Sequence, residues 1–185
     1  MKKFYFTTIL LVFVFAGFSQ TGKGSWLMGG NIAFTSVSVT ENGNKSSGTI
    51  FALNPKIGVF LINNLAVILN TNYISSSSKG FSDHTLAIGP AVRYYFSGQA
   101  VKFFVGSGVD FGSTGDNQNS PKYTSTTYQF EAGPAIFISP AVALELSINY
   151  QTGTTKTSQE GSYSMKQSQV GFGVGFMVYL GKKKA

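Results

Sequence analysis

The chain has 185 residues and a formal charge of +7, with 43% hydrophobic and only 11% charged residues. That charged fraction is under half the roughly 25% of an ordinary soluble domain, which argues against a uniformly water-facing exterior. Cysteine is absent, which excludes a disulfide scaffold, a thiolate metal site and a lipid-anchored N-terminal cysteine.

Residues 1–20 read as a secretory signal peptide. Lys2 and Lys3 form a short positive region, Ile9 to Ala16 is an apolar run, and Gly17-Phe18-Ser19 supplies a small-x-small pattern before a cut. The apolar run falls short of the ~20 residues that a spanning helix needs. Without Lys2 and Lys3 the charge falls from +7 to +5, and Lys182, Lys183 and Lys184 supply much of the remainder as a solvated tail. No clustered basic and aromatic strip points to nucleic acid.

From residue 24 onward the apolar residues recur with a period of two, the mark of β-strands. Eight strands are expected, near residues 25–39, 49–61, 65–74, 85–96, 101–111, 126–138, 142–150 and 169–180. Val142, Leu144, Leu146, Ile148 and Tyr150 alternate with Ala143, Glu145, Ser147 and Asn149. Val170, Phe172, Val174, Phe176, Val178 and Leu180 alternate with a row containing Gly171, Gly173 and Gly175. Residues 62–64, 97–100 and 139–141 are tight turns. Residues 40–48, 75–84, 112–125 and 152–166 are longer connections rich in Ser, Thr, Gly and Asn, and offer an extracellular partner surface. Short and long alternate throughout, as in an up-and-down meander with all turns at one rim. The hairpins repeat: residues 51–60, 86–96 and 130–138 each carry Asn-Pro or Gly-Pro at the same place. Pro55, Pro90 and Pro134 cannot donate to a ladder, so each is expected to mark a bulge or bend.

Alternation alone does not say which face looks inward. The face opposite the large apolar residues is small and weakly polar, and it holds every strand charge: Lys56, Arg93, Lys102, Asp110, Glu131 and Glu145. In lipid a basic residue costs roughly 2–4 kcal/mol at mid-depth, so turning these six outward would cost on the order of 10 kcal/mol. The expected fold is therefore an all-β, eight-stranded antiparallel up-and-down transmembrane β-barrel. Its lumen would hold a network joining Arg93 and Lys102 to Glu131, Glu145 and Asp110, with Lys56 nearby. Such a network would fix register and fill the lumen, with Phe60, Phe104, Phe137, Met177 and Tyr179 adding bulk. Trp26, Tyr73, Tyr94, Phe96, Tyr128 and Tyr150 are candidates for aromatic girdles at the two membrane interfaces, as are Tyr95 and Tyr179.

Taken together, the signal peptide ending Phe18-Ser19-Gln20, the stretch NPKIGVFLINNLAVIL (54–69), the Gly-Pro strands and the closing GFGVGFMVYL (171–180) resemble small outer-membrane barrels of the OmpA/OmpX type, in the version common in Bacteroidota. The resemblance covers roughly residues 24–181. It implies a monomeric barrel embedded in outer-membrane lipid, with roles ranging from envelope integrity and adhesion to minor permeation.

Little else points to chemistry. Asp83-His84 follows Ser82, but neighbours on an extended chain point apart, so no triad forms and His84 reads as an exposed loop residue. Asp116, Asn117 and Asn119 lack calcium-loop spacing. No cofactor, metal or catalytic residue is expected. The leading expectation is a structural or interaction barrel. A narrow pore is the alternative, and a soluble lipocalin-like ligand binder the second.

Overall fold

The computed structural model describes residues 21–41, 44–78, 81–96, 98–116, 123–157 and 164–181. Side chains are described for all of these except residues 33–41, 44–47, 78, 81, 116 and 157. The signal peptide, the lysine tail and two of the calcium-loop candidates, Asn117 and Asn119, lie outside the described residues, as does the side chain of the third, Asp116.

Eight strands form one closed antiparallel barrel in chain order: β1 (Trp26–Glu41), β2 (Asn44–Ile62), β3 (Leu65–Ser78), β4 (Phe81–Tyr95), β5 (Val101–Asp116), β6 (Tyr123–Phe137), β7 (Val142–Thr157) and β8 (Ser164–Leu180). β8 returns to pair with β1, from Trp26↔Leu180 to Gly30↔Phe176. The expected strand number, order and direction are all present.

The strands are longer than the apolar pattern suggests. Glu41 pairs with Asn44, Ser78 with Phe81 and Lys156 with Ser164. Much of the expected connections 40–48, 75–84, 112–125 and 152–166 is thus ladder rather than loop. These stretches have no apolar alternation, so their strand character is hidden in the sequence. Backbone pairing and cross-strand polar contacts hold them instead, such as Thr152 Oγ1 to Ser168 Oγ at 2.9 Å and Gln169 Nε2 to Gln151 Oε1 at 2.6 Å. His84, expected in a loop, lies within β4 opposite Ser75 and Gly115.

The outward face is apolar over a limited height. On β7 it runs from Leu144 to Tyr150 and on β8 from Val170 to Leu180, with Phe172 86% exposed. The β8 stretch of 11 residues matches the 9–11 that a tilted strand uses to cross a bilayer. Beyond it the same strands continue as polar ladder.

The prolines depart from expectation. Register runs unbroken past each: Leu53↔Tyr73 and Lys56↔Asn70, Ile88↔Phe111 and Ala91↔Gly108, Ala132↔Ile148 and Ala135↔Glu145 keep one alignment. Two pairs drop out between the members of each set, on the side where proline has no N–H to give. On the other side Pro55, Pro90 and Pro134 pair with Gly30, Leu69 and Phe103. At these gaps the neighbouring backbone comes close. A Cβ at Gly89 would overlap the Val109 carbonyl oxygen, and one at Gly133 that of Leu146, which explains Gly before Pro. The register shift that does occur sits between Phe60 and Ile62, at the end of β2. The turn that follows uses Asn64 at φ 67°, a left-handed position that Asn tolerates.

Candidate functional site

The lumen is built in three levels. At the turn rim, Leu27, Phe60, Ala66, Tyr95, Phe104, Ala135, Ala143, Met177 and Tyr179 form a buried cluster, with Ile68 above and Phe137 packed against it. Its rings interlock: Tyr95 lies 5.5 Å from Phe60, 5.9 Å from Phe104 and 6.0 Å from Tyr179. Phe137 and Tyr179 are 4.9 Å apart. These residues share the inward parity of their strands. Tyr95 and Tyr179, considered for the girdles, are therefore lumen residues: Tyr95 is two residues from Arg93, so it faces the same way.

The middle level is ionic. Arg93, 1% exposed, sits in β4 between Ala66 and Gly106. Small neighbours on both sides leave room for a guanidinium, and a Cβ at Gly106 would crowd Glu131 Cγ at 3.1 Å. Arg93 Nε and Nη2 donate to Glu131 Oε1 at 3.0 and 2.6 Å. Nη1 donates to Glu145 Oε1 and Oε2 at 3.0 and 2.8 Å and to Tyr95 Oη at 3.0 Å. The guanidinium carbon lies 4.2 Å from the Phe104 ring centre, a cation–π contact. Lys56 Nζ reaches Glu131 Oε2 at 2.8 Å from across the lumen. Tyr179 Oη donates to Glu145 Oε1 at 2.8 Å. Two cations thus meet two carboxylates, and the oxygens are taken by hydrogen bonds, the condition under which buried ions persist.

Two expected members stand apart. Lys102 Nζ donates to Thr21 Oγ1 at 2.8 Å and joins no ion pair among the described residues. Arg93 and Tyr179 already occupy Glu145, and the segment before β1 offers Lys102 a nearer acceptor. That segment hooks into the rim: Asn64 N–H donates to the Thr21 carbonyl at 2.7 Å, Thr21 Oγ1 to Asn64 Oδ1 at 2.6 Å, and Gly24 N–H to the Phe60 carbonyl at 2.8 Å. Nothing in the alternation signals this hook. Asp110 is the second exception. It lies four residues further along β5 than the Arg93 partner Gly106, about 13 Å at strand rise, and so belongs to the third level. Asn72 Nδ2 and Gln129 Nε2 donate to it at 2.7 and 3.4 Å, and both share its inward parity.

This third level is a polar cup. Asn31, Asn54, Asn72, Gln129, Gln151 and Gln169 line two cavities of about 300 and 460 Å³ towards the rim of the longer connections. Asn70 Oδ1 is a buried oxygen with no hydrogen-bond partner among the described residues. The chain supports no arrangement of His, Cys, Asp and Glu fit for a metal ion among the described residues.

The six other girdle candidates point outward, at two heights. Trp26, Tyr94 and Phe96 lie near the turn rim, and Tyr94 meets Phe96 edge-on at 5.3 Å. Tyr73, Tyr128 and Tyr150 lie at the upper edge of the apolar band, and Tyr150 stacks on Phe130 at 6.4 Å.

Residues 6–177 match the family model described as outer membrane protein beta-barrel domain. The fold is similar to the outer membrane protein OprG from Pseudomonas aeruginosa, at 16% identity over 88% of this chain and 99% of that one, with a TM-score of 0.57. It is also similar to Neisserial surface protein A (NspA), at 17% identity over 84% of this chain and 97% of that one, with a TM-score of 0.58. No curated protein is significantly similar in sequence.

Proposed function

We infer the function from one premise: this chain belongs to the outer membrane protein beta-barrel domain family. Membership implies an outer-membrane location. On our reading residues 1–20 direct export, and residues 21–185 form a monomeric barrel in outer-membrane lipid. Its role is structural or interactive: the polar ladders beyond the apolar band, with the connections above them, are the surface offered to an extracellular partner. Trp26, Tyr94 and Phe96 mark one interface and Tyr73, Tyr128 and Tyr150 the other.

The observation that carries this reading over a pore is the fully bonded Arg93, seated on a cluster of rings that fills the lumen below it. Eight strands enclose a space just wide enough for side chains to fill. Planar-bilayer recording tests it. The protein is expected to give no steady openings, whereas Arg93→Ala together with Tyr95→Ala opens a measurable leak. Steady conductance by the unmodified chain would favour the pore. Release from membranes by carbonate without detergent would favour a soluble binder.

A further inference from the structure

Seven of the eight seams are paired over most of their length; the eighth is not. β1 and β8 pair only from Trp26↔Leu180 to Gly30↔Phe176, although β1 continues to Glu41 and β8 begins at Ser164. Among the described residues, above Gly30 each of these strands has a partner on one side only, β2 for β1 and β7 for β8. This unpaired stretch lies inside the apolar band, because Val170, Phe172 and Val174 are outward and exposed there. An open sheet edge facing lipid leaves backbone groups unsatisfied at several kcal/mol each, and is tolerated only where it lines a cavity.

A cavity is present at that place. The smaller cup, of about 300 Å³, is bounded both by lumen amides and by Val170, Phe172, Val174 and Phe176 of β8. It therefore runs along the unpaired edge of β8, between the lumen amides and residues whose side chains face outward. Three features keep it open. Gly30 has φ 141° where the strands part, a conformation that L side chains rarely adopt. Gly171, Gly173 and Gly175 strip the inner row of β8 of side chains, and a Cβ at Gly171 would meet nothing within 4 Å. From Ser164 to Val170 every residue of β8 is exposed, whichever face it occupies.

We propose that the β1–β8 seam is a side entrance that admits the acyl chain of an amphipathic molecule, whose uncharged polar head is held by the amides of the cup. The walls select this class. Lys56, Glu131 and Glu145 at the floor are spent on each other and on Arg93. That leaves Asn31, Asn149 and Gln169 as donors and acceptors suited to hydroxyls and amides rather than to a net charge. The slot beside them is flanked by Val and Phe. The inference rests on the membrane placement proposed above. Its ligand comes either from the surrounding leaflet or from water.

The test uses tryptophan quenching in the full mature barrel, in a Trp26→Phe background. Phe172→Trp reports the outer surface and Gly171→Trp the slot, with Ser147→Trp on the facing wall as a second inner reporter should the glycine variant fail to fold. Ile32→Cys with Val174→Cys staples the seam on oxidation, in a chain otherwise free of cysteine. Vesicles of acyl-brominated phosphatidylcholine are compared with unbrominated vesicles given brominated dodecyl maltoside. The expected result is quenching of the inner reporter by one of these probes and its loss on oxidation. Quenching by brominated lipid identifies the leaflet as the source, and quenching by the maltoside alone identifies a free amphipath. An outer reporter that is quenched beside an inner reporter that neither probe touches, or that stapling leaves unchanged, overturns the entrance while leaving the membrane placement intact. An outer reporter left unquenched by brominated lipid overturns the placement and the entrance together.

Discussion

The two halves of the barrel use the same strands and opposite strategies. Towards the turn rim rings and bonded ions set among small residues fill the lumen, the β1–β8 seam is zipped, and a backbone hook from Thr21 to Gly24 ties down the rim. Towards the other rim the inward positions are mostly Gly, Ala, Asn, Gln, Ser and Thr, two cavities remain, and the seam is unpaired. The contrast shows how a narrow barrel divides its labour. Ring packing and ion pairs hold one half rigid, which lets the other half dispense with a filled core.

The largest effect should come from Arg93. Replacing it by Ala strands Glu131 and Glu145 without their main cation, and loss of one partner from a buried ionic cluster costs about 3–5 kcal/mol. Urea unfolding in lipid vesicles, followed by Trp26 fluorescence, measures this. The quadruple change Lys56→Met, Arg93→Met, Glu131→Gln and Glu145→Gln should recover most of the loss, because no charge of the cluster is left unpaired. Phe104→Ala comes next, removing the ring beneath Arg93 at about 3–5 kcal/mol. By contrast Gln151→Ala in the cup, which removes one hydrogen bond to Gln169, should cost no more than about 1 kcal/mol. If both cost the same, the two halves do not differ in the way described.

A third test finds the upper edge of the apolar band. Leu146→Arg should destabilise by about 2–4 kcal/mol in a bilayer, and Thr152→Arg by no more than about 1 kcal/mol. The sign of the effect changes at Asn70. Its unsatisfied oxygen makes Asn70→Ala neutral or stabilising by up to about 1 kcal/mol in the same unfolding assay.

Much of this contrast was legible in the chain because strand parity is rigid. Once Glu145 is set opposite Leu144 and Leu146, its direction follows, and Arg93 and Glu131 follow by the same step. Parity also contains Tyr95, which travels with Arg93, although its aromatic character suggested a girdle. Depth along the barrel was not legible. Asp110 has the right parity but sits at the wrong height to meet the cluster, and height depends on the tilt and stagger of all eight strands; Lys102 turns instead to Thr21, in a hook that no alternation signals. The polar ladders above the band look like loops in the sequence because hydroxyl-rich strands carry no apolar rhythm. The open seam lay furthest out of reach, since it concerns the first strand and the last, which no local pattern connects.

The division of the lumen is tested most directly by thiol accessibility in single-cysteine variants. Ser147→Cys would stand in the cup and Ala143→Cys beneath the ionic layer, on the same inward row of β7 with Glu145 between them. A membrane-impermeant maleimide added on the side of the longer connections should label the first and leave the second untouched. Equal labelling of both from that side would contradict a lumen sealed at Arg93.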